Sequence, residues 1–244
     1  LRAEISAVAP EASIQRTVLR HPAAGWTVET PEHLLASCAA FGLSNLEIVL
    51  SASELPILDG SAAPYAEAFE RIGLEEQDSA ALPAPAWTVR EPVAFRHRDA
   101  EITALPGVEA LTLSYYIDFP ETALGTQGYV YMLDSCSFVR EIAPARTFVL
   151  EADIEKLRAR GLIRGGDPRI AVVVGRDRYL NPPLRFPEEC IRHKIIDLLG
   201  DLVLAGGAPR GHFSANRAGH AAHLAFLDFL RKGQHISWIH PPPQ

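Results

Sequence analysis

His193, Asp197 and Asp201 stand four residues apart, so on a helix all three lie along one face. An imidazole and a carboxylate one turn apart can grip one metal ion. A second acid one turn further on can orient a neighbouring side chain. The flanking residues write the helix: Pro187 suits its first position, Glu188 and Glu189 favour its positive end, and Gly206-Gly207 supplies a stop. Taken alone, the stripe also describes a solvated polar face. A second helix starts at Thr30-Pro31-Glu32-His33, where Thr30 is an N-cap type, Pro31 fits the first turn and Glu32 favours the macrodipole. Capping chemistry and a surface histidine would also account for that pair. Catalytic zinc takes three N/O protein ligands and keeps one position open. His33, His193 and Asp197 could supply that set, with Glu32 as general base. The leaving group needs an acid, and His220 held protonated by Asp201 is the candidate pair.

The rest of the chain must position these groups. Its 244 residues are 48% apolar, enough for one large or two small domains with a real core. A net charge of −7 argues against a nucleic-acid partner. No apolar run approaches the roughly 20 residues of a membrane helix, and no basic-then-apolar signal opens the chain. Cys38, Cys136 and Cys190 are odd in number and far apart, which fits a reducing cytoplasm. Cys190 reads as an ordinary buried thiol.

Residues 1–18 read as extended, Trp26 to Glu29 as a strand, and the Thr30 helix has Leu34, Leu35, Cys38 and Phe41 on its apolar side before Gly42 closes it. Asn45 to Leu50 reads as a strand with Leu46, Ile48 and Leu50 on one face. Leu55 to Ser61 is a strand ending in an Asp-Gly turn, and Pro64 to Ile72 a helix. The small-residue, Pro-bearing stretch 78–86 is the predicted linker between a first domain, 1–77, and a second, 87–244. The second half opens with strands at 87–90, 93–96, 101–104, 111–117 and 129–131, then short helices at 137–142 and 152–160 and a strand at 170–174. Gly165-Gly166 reads as a turn. After the His193 helix come an extended Gly211 to Ser214 and a helix from about Asn216 to Arg231, with His223 on its surface and Pro241-Pro242-Pro243 as a tail. Strands and helices segregated by segment favour α+β layers.

Five segments occur in order: Thr30-Pro31-Glu32-His33-Leu34, Leu58-Asp59-Gly60-Ser61-Ala62, Ala145-Arg146-Thr147-Phe148, Arg192-His193-Lys194-Ile195-Ile196-Asp197 with Gly200-Asp201, and Ala218-Gly219-His220-Ala221. In this the chain, from about Leu1 to Leu230, closely resembles the UDP-3-O-acyl-N-acetylglucosamine deacetylases, zinc amidases of lipid A synthesis. The resemblance implies two α+β domains, each a helix layer on a sheet, with the active site between them. It implies Zn2+ on His33, His193 and Asp197, Glu32 as base, and His220 as acid oriented by Asp201. Thr147 would stabilise the oxyanion, Lys194 would face the substrate's polar end and Phe148 would pack on the sugar. An inserted unit near 150–175 would line an acyl passage with Ile154, Ile163, Ala171 and Val173, although ordinary core explains those four as well. The expected partner is the UDP-linked acylated aminosugar, and the expected state a cytoplasmic monomer.

Three departures stand out. Pro31 replaces a usual Val, Val149 stands where Gly is frequent, and a Gly-Leu-His-Ser-Gly segment is absent before Leu1, so the first sheet is expected to be incomplete. The alternatives are another zinc N-deacylase on the same scaffold, or a non-catalytic relative that keeps the metal.

Overall fold

A computed structural model describes residues 1–75, 84–159, 169–181 and 183–240. The class is α+β. Near the start, β1 (Val18–Arg20) and β2 (Thr27–Glu29) form an antiparallel pair, followed by α1 (Glu32–Ala40) and α2 (Ala63–Ile72). Residues 1–17 are not a strand. They contain a short turn at Ile5–Ala7, and the Ser13 hydroxyl donates to Ala9 O and accepts from Val18 N–H. Asn45 to Leu50 is not a strand either. Leu46, Ile48 and Val49 are exposed, and among the described residues the nearest ladder contact is a single Glu29–Glu54 bridge. Alternation of apolar residues makes a strand only where a neighbour takes its backbone N–H and C=O groups. Thr30 does not cap α1 with its side chain. Its hydroxyl donates to Glu54, and it holds a φ of 60°, rare for a β-branched residue.

The second half begins with β3 (Ala86–Val89), β4 (Val93–His97), β5 (Ala100–Leu105), β6 (Leu111–Phe119) and β7 (Gly125–Met132), as the alternation predicts. A turn of helix α3 (Ser135–Ser137), capped by Asp134, runs into a π-helical turn at Phe138–Ile142. Then come β8 (Phe148–Leu150), α4 (Ile154–Ala159), β9 (Val172–Val174) and α5 (Glu189–Leu202). Last are β10 (Ala208–Pro209), β11 (Gly211–Asn216), α6 (His220–Lys232) and β12 (Ile236–His240). Pro187 and Glu188 form a turn just before α5 rather than its first residues. The strands make a five-stranded mixed sheet, β4-β5-β11-β6-β7, a three-stranded sheet, β10-β3-β12, and a parallel pair, β8-β9. Most of the predicted linker, the Gly165-Gly166 turn, Ile163 and the Pro241 tail lie outside the described residues.

Helices α5 and α6 cover one face of the large sheet, where Leu113, Tyr115, Phe213 and Ala215 are buried with Ile191, Ile195, Leu198 and Phe226. α1 packs along the other side of α5. The two helices meet at Gly200, where an added Cβ would lie 2.2 Å from Glu32 O. Only a residue without a side chain lets α1 approach that closely. This contact places the first turn of α1 beside the polar stripe of α5.

Candidate metal centre and active site

The stripe is not solvated. His193, Asp197 and Asp201 are 2%, 5% and 0% exposed, and Glu32 and His33 are each 3% exposed. α5 presents its polar face to α1, so the acids that would favour water on a free helix are enclosed. One donor atom from each of His33, His193 and Asp197 lies within 4.8 Å of the other two. The His33 and His193 rings meet edge to face, centroids 4.9 Å apart.

The donor set fits a metal ion. His193 Nδ1 lies 2.9 Å from Ala145 O, so it carries the proton and leaves the lone pair on Nε2. That Nε2 is 3.3 Å from Asp197 Oδ1. Burial, with His193 alongside, pushes His33 down to about 3, so its ring is in the neutral, ligating form. Burial would raise Asp197, but Lys194 and then His193 hold it well below the usual carboxylate range. Lys194 Nζ donates to Asp197 Oδ2 at 2.6 Å.

His220 stands at the first position of α6, where the macrodipole disfavours a cation. Its Nδ1 is 2.7 Å from Asp201 Oδ2. Burial lowers its pKa, but the charges of Asp201 and Asp197 outweigh that and hold it at about 9. Burial likewise opposes ionised Asp201, and His220 brings it down to about 2. His220 Nε2 faces Glu32 Oε1 at 3.8 Å and Asp197 Oδ2 at 3.7 Å. Burial pushes Glu32 up to about 7 against the pull of His220.

Of the remaining predicted residues, Phe148 and Lys194 line a cavity of about 290 Å³ with Ile117, Asp118, Phe119 and Arg217. The Phe148 ring meets Phe119 edge on, 6.0 Å between centroids. Thr147 is half-buried. Its N–H donates to Gly60 O at 2.8 Å and its C=O accepts from Val172 N–H at 2.8 Å. The structure thus ties its backbone to the Asp-Gly turn and to β9, which leaves only the hydroxyl to act as a donor. Ile154, Ala171 and Val173 are half-buried, while Val172 and Val174 face the core.

His223 corrects the expectation of a surface residue: it is fully buried. Its Nδ1 is 2.8 Å from Asp201 Oδ2 and its Nε2 is 3.0 Å from the Tyr115 hydroxyl. It lies three residues beyond His220, so the same helical face carries both rings onto one carboxylate. Asp201, His220 and His223 are also grouped closely enough to hold a metal, but their nearest nitrogens are taken up by the hydrogen bonds to Asp201.

Two other residues escaped the sequence reading. Thr17 reaches both Glu32 and Asp201, and no motif marks it. Arg146 belongs to a noted segment, yet its part is to clamp that segment to α5. Its Nε donates to Glu189 Oε1 at 2.7 Å and its Nη2 to Glu189 Oε2 at 3.1 Å. The clamp holds Ala145 O over His193. Both side chains are buried, 8% and 0% exposed. Glu189→Gln should therefore lower stability by roughly 3–5 kcal/mol at neutral pH, the cost of stranding a buried charge. Burial opposes ionised Glu189, but Arg146 and two backbone N–H groups depress its pKa. A depressed carboxylate stabilises the fold above its unfolded value, about 4.3, and the benefit fades as pH falls through the folded value. Urea titrations should show the gap between variant and parent at pH 7 and a narrowing of it in acid. Equal midpoints at pH 7 would dismiss the clamp.

Comparison with protein families matches residues 1–232 to UDP-3-O-acyl N-acetylglycosamine deacetylase. The chain is similar to the UDP-3-O-acyl-N-acetylglucosamine deacetylase of Thermosynechococcus vestitus, 43% identical over 204 residues, covering 82% of this chain and 68% of the relative. The protein of that name from Trichormus variabilis is 44% identical over 200 residues, 81% of this chain and 71% of the relative. That from Leptospira biflexa is 39% identical over 198 residues, 81% and 64%. No helix among the described residues is long and apolar enough to cross a membrane.

Proposed function

The chain belongs to the UDP-3-O-acyl N-acetylglycosamine deacetylase family, and on that premise we propose which residues remove the N-acetyl group from UDP-3-O-acyl-N-acetylglucosamine in lipid A biosynthesis. The metal would be zinc, and His33, His193 and Asp197 would hold it. Zinc bound there would supply Lewis acidity, polarising the amide carbonyl and making a water nucleophilic near neutral pH. Glu32 takes the proton of the attacking water at Oε1. His220 holds a proton on Nε2 and delivers it to the departing amine, with Asp201 fixing which ring nitrogen faces the substrate. Thr147 donates to the developing oxyanion.

Lys194 neutralises Asp197 and stands at the cavity that would take the polar end of the substrate. Phe148 offers its ring to the sugar. Ile154, Ala171 and Val173 line the path of the acyl chain. The enzyme works as a cytoplasmic monomer.

One observation carries this reading. Base and acid face each other at 3.8 Å beside a three-residue donor set, and all five side chains are buried together. The test is direct. Purified protein should carry about one zinc per chain and release acetate from the UDP-sugar. Removal of metal with a chelator should abolish the release, and zinc should restore it. A zinc-loaded protein that leaves the amide intact would overturn the proposal.

A further inference from the structure

Thr17 touches both the base and the carboxylate of the acid pair, and it is fully buried. Its hydroxyl has one hydrogen. Asp201 is a carboxylate with acceptors alone, so the hydroxyl donates to Asp201 Oδ1. The other oxygen, Oδ2, already accepts from His220 and His223. Among the described residues no other hydrogen bond reaches Oδ1. The Thr17 backbone N–H points the other way and donates to Glu32 Oε2 at 3.3 Å. That leaves Glu32 Oε1 turned towards His220 Nε2.

The residue is itself held. Its carbonyl accepts from Thr30 N–H at 3.0 Å, which extends the β1–β2 pairing to the start of α1. The next residue, Val18, donates to the buried Ser13 hydroxyl. Thr30 keeps its unusual φ at this junction, fastened by Glu54. Strain of this kind persists where the surroundings over-determine it.

We propose that Thr17 is a positioning residue of the deacetylation: its N–H and its hydroxyl fix the carboxylates of Glu32 and Asp201, and so set how base and acid face each other. This rests on the roles given above to Glu32 and His220. A buried threonine satisfied by its neighbours, with no bearing on the reaction, is the competing explanation.

The test compares Thr17→Val with Thr17→Ser in the zinc-loaded protein. Valine keeps the shape and the backbone N–H but removes the hydroxyl; serine keeps the hydroxyl. The valine variant should lose about ten- to hundredfold in kcat, the usual effect of an outer partner. KM and zinc content should stay near those of the parent, the thermal midpoint should fall because Asp201 Oδ1 loses its buried donor, and serine should restore most of kcat and of the midpoint. The downfield Nδ1–H proton signal of His220, identified by its loss in His220→Ala, should move in the valine variant and return in the serine one. An unchanged kcat, or a loss explained wholly by lower zinc content and stability, would overturn the proposal. If the parent binds zinc but does not cleave the sugar, the functional reading fails. The His220 signal then decides Thr17 by itself, and a signal unmoved by valine would refute the positioning.

Discussion

His193→Ala is expected to lose metal and activity together. Both nitrogens of His193 are committed: Nδ1 to Ala145 O, and Nε2 beside Asp197 Oδ1 at 3.3 Å. Without the ring, the donor group falls to His33 on α1 and Asp197 on α5, two residues on separate helices, which is too few for a closed set of three. Alanine is the best helix former, so α5 itself should survive the change. Metal analysis after dialysis, beside acetate release from the UDP-sugar, reads both effects. Helix content by circular dichroism guards against unfolding. Full metal content in the variant would remove His193 from the ligand set.

Glu32→Gln is expected to separate binding from turnover. Glutamine has nearly the same shape, and its carbonyl oxygen can still accept the Thr17 N–H. It cannot take a proton from water. Zinc content should therefore hold, while kcat falls on the order of a hundredfold or more, as for a positioned general base. The change also removes the opposing charge 3.8 Å from His220 Nε2. The measurement pairs zinc stoichiometry with kcat. A metal-free variant would make Glu32 a ligand and reassign the site.

The contrast between Asp197 and Asn45 to Leu50 shows what can be read from residue order. Spacing by four puts His193, Asp197 and Asp201 on one face, because the α-helix repeats every 3.6 residues. That periodicity is a local property, and the helix formed, though from Glu189 rather than from Pro187. Alternation at Leu46, Ile48 and Leu50 is equally local, yet no ladder formed, since a strand requires a partner elsewhere in the chain. His223 failed for a related reason. Its place on α6 was legible, but its burial depends on Asp201 and Tyr115 from two other elements.

What the sequence determined by itself is the α+β class, the helices that carry Glu32, His193 and His220, and the residue types able to grip a metal and move a proton. These follow from periodicity, end residues and side-chain chemistry, all of which act within a few residues. Tertiary structure alone decided that the polar stripe faces α1 rather than water. It decided that Gly200 lets the two helices close, that Arg146 and Glu189 lock the carbonyl over His193, and that Thr17 joins Glu32 to Asp201. These contacts join residues from 15 to 184 positions apart. Such contacts depend on how whole faces are buried against one another, and no local pattern carries that information.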